Sequence, residues 1–482
     1  MTSRDSASSR NGTTVRSGDV LDVVVIGAGP GGYAAAIRTA QLGLQVALVE
    51  RDNRLGGVCT LRGCIPTKAL LHTADVLEDA RHGGELGVVA SEVRLDLAAA
   101  HAFKNRVVEK NSAGVGFLMK KNGVRVVQGF GTLAGPGRVR VTDSRGEVQE
   151  LQTRHVLLAT GSAPKPLPGL PFDGERVLSS DHALELSRVP GSLAIIGGGA
   201  VGVEFASLYS RFGSRVSLIE MMPHLLPLED VDVSTELERS LRRRGLEVHT
   251  GAKLEDSRVT PNGVTLTLRT ADGGTRTVEA EKLLVAAGRR PLTEGLGLEA
   301  LGVKLERGFV PVDGRMRTSV PGLYAIGDIV PTPALAHVAT MEAIVAAEAI
   351  AGLEPQPIDY AQVPSCTYSA PEVASIGLTE ARARERGFDV RVGRFPFSAL
   401  GKARVLDHTE GFVKLVSDAR YGELLGVHLI GPHVTELLAE AGVALRLEAT
   451  VEELARTMHA HPTLSEVIHE AAEVALGHPL HL

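Results

Sequence analysis

Cys59 and Cys64 stand five positions apart in GGVCTLRGCIPTK, Gly56 to Lys68, and are two of only three cysteines in 482 residues. So few cysteines cannot build a structural disulfide framework, and a close pair favours thiol–disulfide chemistry in a reducing compartment. On one helix, positions five apart fall at neighbouring angles, so a bridge between the sulfurs needs a local distortion. Pro66 is expected to interrupt helix hydrogen bonding nearby. The competing reading, two buried thiols or half of a metal site, lacks a second Cys/His cluster to complete the ligand set, so no metal is expected. Cys366 reads as a small buried apolar residue. Near the other end, His461 opens HPTLSE with Glu466 five residues on. A thiol with an ordinary pKa of about 8.5 is mostly protonated at neutral pH, so making an attacking thiolate needs a base. A histidine can take that proton and return it, and a carboxylate on its other nitrogen fixes the tautomer. His459 and His469 are neighbours in sequence, and only the His-Pro context and Glu466 single out His461.

A second chemistry is carried by a repeat. Val23 to Glu50 (VVVIGAGPGGYAAAIRTAQLGLQVALVE) can be laid without a gap on Leu193 to Glu220 (LAIIGGGAVGVEFASLYSRFGSRVSLIE). Each copy opens with an apolar run, crosses G-x-G-x-x-G, continues through a helical pattern and ends in a second apolar run closed by Glu, the strand, turn, helix and strand of a dinucleotide-binding unit. Gly27 and Gly197 suit the tight turn, Gly29 and Gly199 admit a pyrophosphate, and Gly32 and Gly202 let helix and strand pack closely. The pyrophosphate then meets a helix N-terminus. Glu50 and Glu220 each come 18 residues after the third glycine, where a carboxylate can accept hydrogen bonds from a ribose and repels a 2′-phosphate. The second site is therefore expected to prefer NAD over NADP.

These groups need a scaffold to position them. Between the repeats the chain reads as mixed strand and loop; LLATG, Leu157 to Gly161, ends an apolar strand, and the Pro-rich stretch Ala163 to Pro171 reads as a linker. LVAAGRRP, Leu284 to Pro291, closes the second unit, and GLYAIGD, Gly322 to Asp328, ends a further strand with an acid better explained locally as a turn former. From about Tyr360, strands alternate with amphipathic helices without a glycine fingerprint, as in a separate assembly domain. The expected fold class is α/β, with two Rossmann-like dinucleotide-binding domains and a C-terminal α+β interface domain. The expected plan is a disordered leader over 1–19, a first dinucleotide domain over 20–164 completed by 289–359, a second over 165–288, and an interface domain over 360–482. A net charge of −6 and a pI near 6.3 argue against nucleic acid, and Gly, Pro or charge breaks every apolar run before the roughly 18 residues of a membrane span. A cytoplasmic protein is expected.

These residues resemble the pyridine nucleotide-disulfide oxidoreductase family, from about Val20 to the C-terminus, through both fingerprints, GGVCTLRGCIPTK, LLATG, LVAAGRRP, YAIGD and HPTLSE. The resemblance implies FAD in the first unit, NAD in the second and a homodimer formed by the C-terminal domain. It also implies oxidation of a dihydrolipoyl group borne by another chain, the acyltransferase component of a 2-oxoacid dehydrogenase complex or a glycine-cleavage lipoyl protein. Carried over by motif, Cys59 is the thiol that meets substrate and Cys64 the one facing the flavin. Lys68 lies near flavin N5, paired with Glu204 of the nicotinamide unit. Thr160, Gly161 and Asp328 join the FAD contacts, Asp328 on a ribityl hydroxyl, and Gly288 joins the NAD contacts. His461, oriented by Glu466, is the base and comes from the partner subunit. Val58, Thr60 to Arg62 and LAHVATMEA, Leu335 to Ala343, depart from the family pattern. Glutathione-type reductases normally need arginines where Glu220 stands, and mercuric reductases need cysteines beyond Cys366. Replacing Glu220 with Arg is expected to weaken NAD use and raise the NADP/NAD ratio of kcat/KM; an unchanged ratio would remove Glu220 from coenzyme choice.

Overall fold

The computed structural model describes residues 20–482, so the leader expected over 1–19 lies outside the described residues. The chain forms two compact units, one of residues up to Ile65 with Arg106–Ala163 and Arg290–Ile358, the other of Pro66–Asn105, Pro164–Arg289 and Asp359–Leu482.

In the first unit the apolar run Leu21–Ile26 is the central strand, paired in parallel with Val46–Glu50 on one side and with the end of Val148–Leu158 on the other. Arg125–Gln128 and Leu323–Ala325 extend this parallel sheet at its two edges. The first half of Val148–Leu158 instead pairs antiparallel with Arg138–Thr142, which pairs with Phe130–Gly135. Alternation sorts the central strand: Val24 and Ile26 join the apolar cluster on one face, Val23 and Val25 the cluster on the other. A strand buried on both faces has no polar side, which is why it reads as a continuous apolar run. The helices Pro30–Gln41 and Ala336–Ile350 belong to the second of these clusters, with Ala35, Ala36, Ala343 and Ala346 buried.

The second unit repeats the plan. Ser192–Ile196 is central, flanked in parallel by Arg215–Ile219 and Lys282–Val285, with Glu247–His249 and Val177–Leu178 outside them. A three-stranded antiparallel ribbon, Lys253–Thr260, Gly263–Arg269 and Thr275–Ala280, packs Val264, Leu266 and Leu268 with Ala194 and Ile196. Beyond Asp359 an antiparallel five-stranded sheet is covered by helices, with Val434–Arg446 and Glu466–Leu476 in its apolar cluster.

The expectation of strand and loop between the fingerprints is corrected by two long helices, Cys64–His82 and Leu97–Lys121. In Leu97–Lys121 the buried positions Ala100, Lys104, Val108, Ser112, Val115 and Met119 keep helical spacing. Lys104 and Ser112 hide it, because both are polar yet buried, Lys104 Nζ bonding the Leu184 carbonyl at 2.8 Å and Ser112 the Leu55 carbonyl at 2.7 Å. Pro66 does not interrupt a helix either. The helix begins at Cys64, so Pro66 occupies the first turn, where its missing N–H has no intrahelical acceptor to lose.

Asp230 caps the helix Val231–Arg243, taking the Asp232 N–H at 3.1 Å and Lys414 Nζ at 2.9 Å; Lys414 also reaches Asp232 at 2.7 Å and Glu380 at 2.9 Å. Burial opposes charge on both Lys414 and Asp230. The three carboxylates nevertheless hold the Lys414 pKa above its usual range, and Lys414 with the cap N–H holds Asp230 below its own. Asp230 therefore adds stability that is present above its unfolded pKa of about 3.9 and fades as pH falls. Lys414 adds stability present below about 10.4 that fades as pH rises through its raised pKa. Lys414→Met leaves a buried carboxylate without its cation and is expected to cost about 3–5 kcal/mol, read as a lower urea midpoint. A midpoint at the parent value would deny the cluster any structural weight.

Candidate active site

Both fingerprints are shaped by the same contacts. Gly27 has φ 104° and Gly197 φ 110°, and a Cβ there would stand 2.3 Å from the Ala159 carbonyl oxygen or 2.4 Å from that of Ala286. A Cβ on Gly32 or Gly202 would meet the carbonyl oxygen of Gly27 or Gly197 at 1.8 Å. Gly29 and Gly199 differ: a Cβ on either meets nothing within 4 Å. The protein's own packing does not require glycine there, so the open space above each loop fits a pyrophosphate that needs close backbone approach. Each of these glycines precedes a helix, Pro30–Gln41 or Ala200–Phe212, whose N-terminus has no side-chain cap, leaving its N–H groups for an anion.

The two terminal acids have a second task. Glu50 takes the Ala28 N–H at 2.6 Å and the Asp52 N–H at 2.9 Å; Glu220 takes those of Gly198 at 2.6 Å and Met222 at 2.7 Å. Each carboxylate thus ties the glycine loop to the strand end. Burial pushes the Glu50 pKa up, against the opposing pull of these backbone N–H groups. Carboxylate oxygens accept more than one hydrogen bond, so a ribose contact is compatible with both ties.

In the first unit the predicted residues gather where the parallel strands end. Thr160 and Gly161 come just after Leu158, with the Thr160 hydroxyl on the Leu292 carbonyl at 2.7 Å. Asp328 lies in the turn Gly327–Ile329 and accepts the Ser162 hydroxyl. Ligand sites of open α/β sheets lie at such strand ends. The turn itself is held by Glu342, wholly buried, which takes the Gly327 N–H at 2.6 Å and the Thr332 hydroxyl at 2.7 Å.

The cysteines are built onto this loop. The Gly56 N–H bonds the Ala28 carbonyl at 3.0 Å, and a Cβ on Gly57 would stand 2.5 Å from Gly29 Cα. The helix Gly57–Arg62, bearing Cys59, starts there; it ends at Gly63, and Cys64 opens the next helix. The one-helix expectation is thereby corrected: the needed distortion is a full break at Gly63, where a Cβ would press within 2.9 Å of the Val58 carbonyl oxygen and 3.4 Å of Cys59 Cα. Cys59 and Cys64 lie close together, both half-buried.

In the second unit Lys68 Nζ sits 2.8 Å from both carboxylate oxygens of Glu204. Gly288, at φ 109°, gives its carbonyl to the Lys165 N–H at 3.1 Å. His461 Nδ1 meets Glu466 Oε1 at 2.8 Å while Oε2 takes the Thr463 N–H at 2.8 Å. Burial alone would raise the Glu466 pKa, but the Thr463 N–H and His461 hold it below its ordinary value. The His461 side chain is 78% exposed, so its second nitrogen is presented outward. His459 is committed instead, with Nε2 on Glu440 at 2.8 Å and Nδ1 on the Thr457 carbonyl at 2.9 Å, which separates the two histidines as their sequence does not. Cys366 is half-buried in the strand Ser365–Thr367, and burial pushes its thiol up to about 12, making it a poor nucleophile. Sequence reasoning missed Gly57, Ser162 and Glu342. Only the Gly56-Gly57 pair carried a readable signal, as a second glycine turn beside the cysteines.

Among the described residues, no cluster of three or more His, Cys, Asp or Glu could hold a metal ion, and no helix is long and apolar enough to cross a membrane. Residues 21–343 match the family model for pyridine nucleotide-disulphide oxidoreductases, and residues 363–472 match that family's dimerisation domain. The chain is 45% identical over 469 residues to a dihydrolipoyl dehydrogenase of Bacillus subtilis, covering 95% of this chain and 99% of that one. To one of Chlorobaculum tepidum it is 48% identical over 456 residues, covering 95% and 97%. The solved structure of LpdA from Mycobacterium tuberculosis superposes with TM-score 0.87 at 31% identity, covering 94% and 99%.

Because Gly29 and Gly199 have empty space before them, Gly29→Ala and Gly199→Ala are expected to keep the thermal midpoint of the ligand-free protein within about 1–2 °C while weakening dinucleotide binding at least tenfold. Gly32→Ala, by contrast, is expected to impair folding. Equal loss of stability in Gly29→Ala and Gly32→Ala would show that packing, not a ligand, requires the middle glycine.

Proposed function

The chain belongs to the pyridine nucleotide-disulphide oxidoreductase family, and from that premise we propose that it is a dihydrolipoyl dehydrogenase, oxidising protein-bound dihydrolipoamide with NAD⁺ as final acceptor. The observation that carries the reading is the cysteine turn built directly on the first fingerprint loop, through Gly57 against Gly29. That contact ties a dithiol to a dinucleotide site, as a two-electron relay requires.

The steps assigned to this chain's side chains are few. His461 takes the proton from one substrate thiol, and the thiolate attacks the Cys59 sulfur of a Cys59–Cys64 disulfide, releasing Cys64 as thiolate. The second substrate thiol, deprotonated in turn, attacks the mixed disulfide at the substrate sulfur; the cyclic substrate disulfide forms and Cys59 leaves carrying the electron pair. Glu466 holds the His461 tautomer and stabilises the imidazolium between these transfers. Bound FAD, in the first unit, supplies the relay of this pair from the dithiol to NAD⁺ as hydride, chemistry beyond any side chain present. Two substrate protons leave for one hydride delivered, so one proton is released per turnover. Lys68, paired with Glu204, would serve the FAD by its positive charge, together with Thr160, Gly161 and Asp328, and Glu220 and Gly288 would serve the NAD. The domain plan of 20–164, 165–288, 289–359 and 360–482 goes with this reading, supported by a separate fingerprint in each parallel sheet.

We further assign a homodimer in which the partner subunit's His461 serves each cysteine pair, a lipoyl-bearing acyltransferase or glycine-cleavage protein as substrate carrier, and a cytoplasmic setting. The dimerisation-domain match over 363–472 supports the dimer. Steady-state rates with dihydrolipoamide, glutathione and a quinone, each with NAD and NADP, test the activity; a preference for glutathione with NADP would overturn it.

Loss of general base catalysis costs roughly 10²- to 10⁴-fold, so His461→Ala is expected to lose that much with dihydrolipoamide while NADH transfer to an artificial acceptor survives. Mixed under conditions that exchange subunits, inactive Cys59→Ser and His461→Ala proteins should regain activity, since a heterodimer holds one intact site. Proven exchange without recovery would place His461 in its own chain's site.

A further inference from the structure

Lys68 and Glu204 stand on two helices, Cys64–His82 and Ala200–Phe212, and a third segment of the same unit lies across them. Past the strand Ser365–Thr367, the Tyr368 N–H bonds Glu204 Oε1 at 3.1 Å and the Ala370 N–H bonds Ser207 Oγ at 3.0 Å. Glu204 and Ser207 are three apart on one helix, hence neighbours on one face, and both are buried. The segment is therefore fastened at two points by acceptors that the helix spaces for it. This fastening sets the Tyr368 ring against Lys68, with Nζ 4.5 Å from the ring centre. A lysine on a four-carbon stem is fixed in distance by one carboxylate but not in direction. The aromatic face supplies the second constraint, because the ring quadrupole attracts the ammonium from another side. The hydroxyl adds no charge: burial pushes its pKa up to about 12, so the phenol stays neutral in the working range.

We propose that Tyr368 is a positioning residue, whose ring face and backbone N–H together fix the direction in which the Lys68–Glu204 pair presents its positive charge to the flavin. The inference rests on the flavin role given to Lys68 above. A charge allowed to wander stabilises reduced flavin less, whereas a phenylalanine ring would hold it as well as the tyrosine does. The residue thus acts through Lys68 and touches neither substrate nor reacting sulfur.

The test uses the flavin-loaded enzyme and reads the flavin midpoint potential against a reference dye, beside the thermal midpoint. Tyr368→Leu is expected to make the potential more negative, changing the oxidised-to-reduced flavin ratio at a fixed applied potential by about three- to tenfold, while Tyr368→Phe keeps the parent value. A role in packing alone would lower the thermal midpoint of Tyr368→Leu without moving the potential, and that result overturns the inference. A shift in Tyr368→Phe equal to that in Tyr368→Leu would assign the effect to the hydroxyl and also overturn it. Lys68→Met separates this failure from failure of the parent reading: its potential must move too, and if it does not, the flavin role of Lys68 falls. Should Tyr368→Leu fail to load flavin, Tyr368→Met, which removes the ring but keeps a long, flexible apolar side chain, is measured against the same criteria.

Discussion

The arrangement depends on one close approach, that of a helix start to the end of the strand feeding it. Gly27 and Gly32 in one unit, and Gly197 and Gly202 in the other, let backbone meet backbone where any side chain would stand within 2.4 Å of a carbonyl oxygen. Only then do uncapped N–H groups of the helix lie at the strand end. A buried carboxylate, Glu50 or Glu220, closes the turn by bonding the N–H between the first two glycines. The acid that a nucleotide ribose can use is therefore also the acid that holds the loop open for the nucleotide, and the two tasks cannot be altered separately by deleting the side chain.

The duplicated architecture extends past the repeat visible in the sequence. Gly56 bonds the carbonyl of Ala28, and at the matching position Leu226 bonds that of Gly198 at 2.8 Å. Both residues take positive φ, 117° at Gly56 and 45° at Leu226, so the same turn is made with glycine in one unit and with a strained leucine in the other. Beyond this turn the two copies diverge. Gly57 starts the cysteine helix against Gly29, whereas the second unit runs on to Asp230 and the helix it caps. The cysteine helix thus starts on the first loop, whereas the matching positions of the second unit, Glu229 and Ser234, carry no cysteine.

Charge is handled in two ways within the second unit. Lys414 is 1% exposed and surrounded by three carboxylates, an arrangement that stabilises the fold and leaves nothing to present outward. Lys68 and His461 each have a single carboxylate partner and keep one side accessible, the side chains being 33% and 78% exposed. Several buried partners commit a side chain to the fold, whereas a single partner and an open face are what the roles proposed for Lys68 and His461 require.

The local geometry of the candidate site was legible in the sequence wherever it depends on local backbone demands. Two fingerprints with terminal acids, a cysteine pair and a histidine with its glutamate each lie within a short segment, and short-range sterics and spacing specify them. The parallel sheets were legible for the same reason, since strands buried on both faces must be apolar throughout. The helix Leu97–Lys121 was not, because its buried stripe includes Lys104 and Ser112, whose partners Leu184 and Leu55 are remote in sequence and known only once the chain is folded. Glu342 beneath the Asp328 turn, the break at Gly63 and the Tyr368 ring beside Lys68 were likewise decided by tertiary structure. Each depends on which distant segment arrives beside it, and a buried polar group declares its role only through the partner that satisfies it.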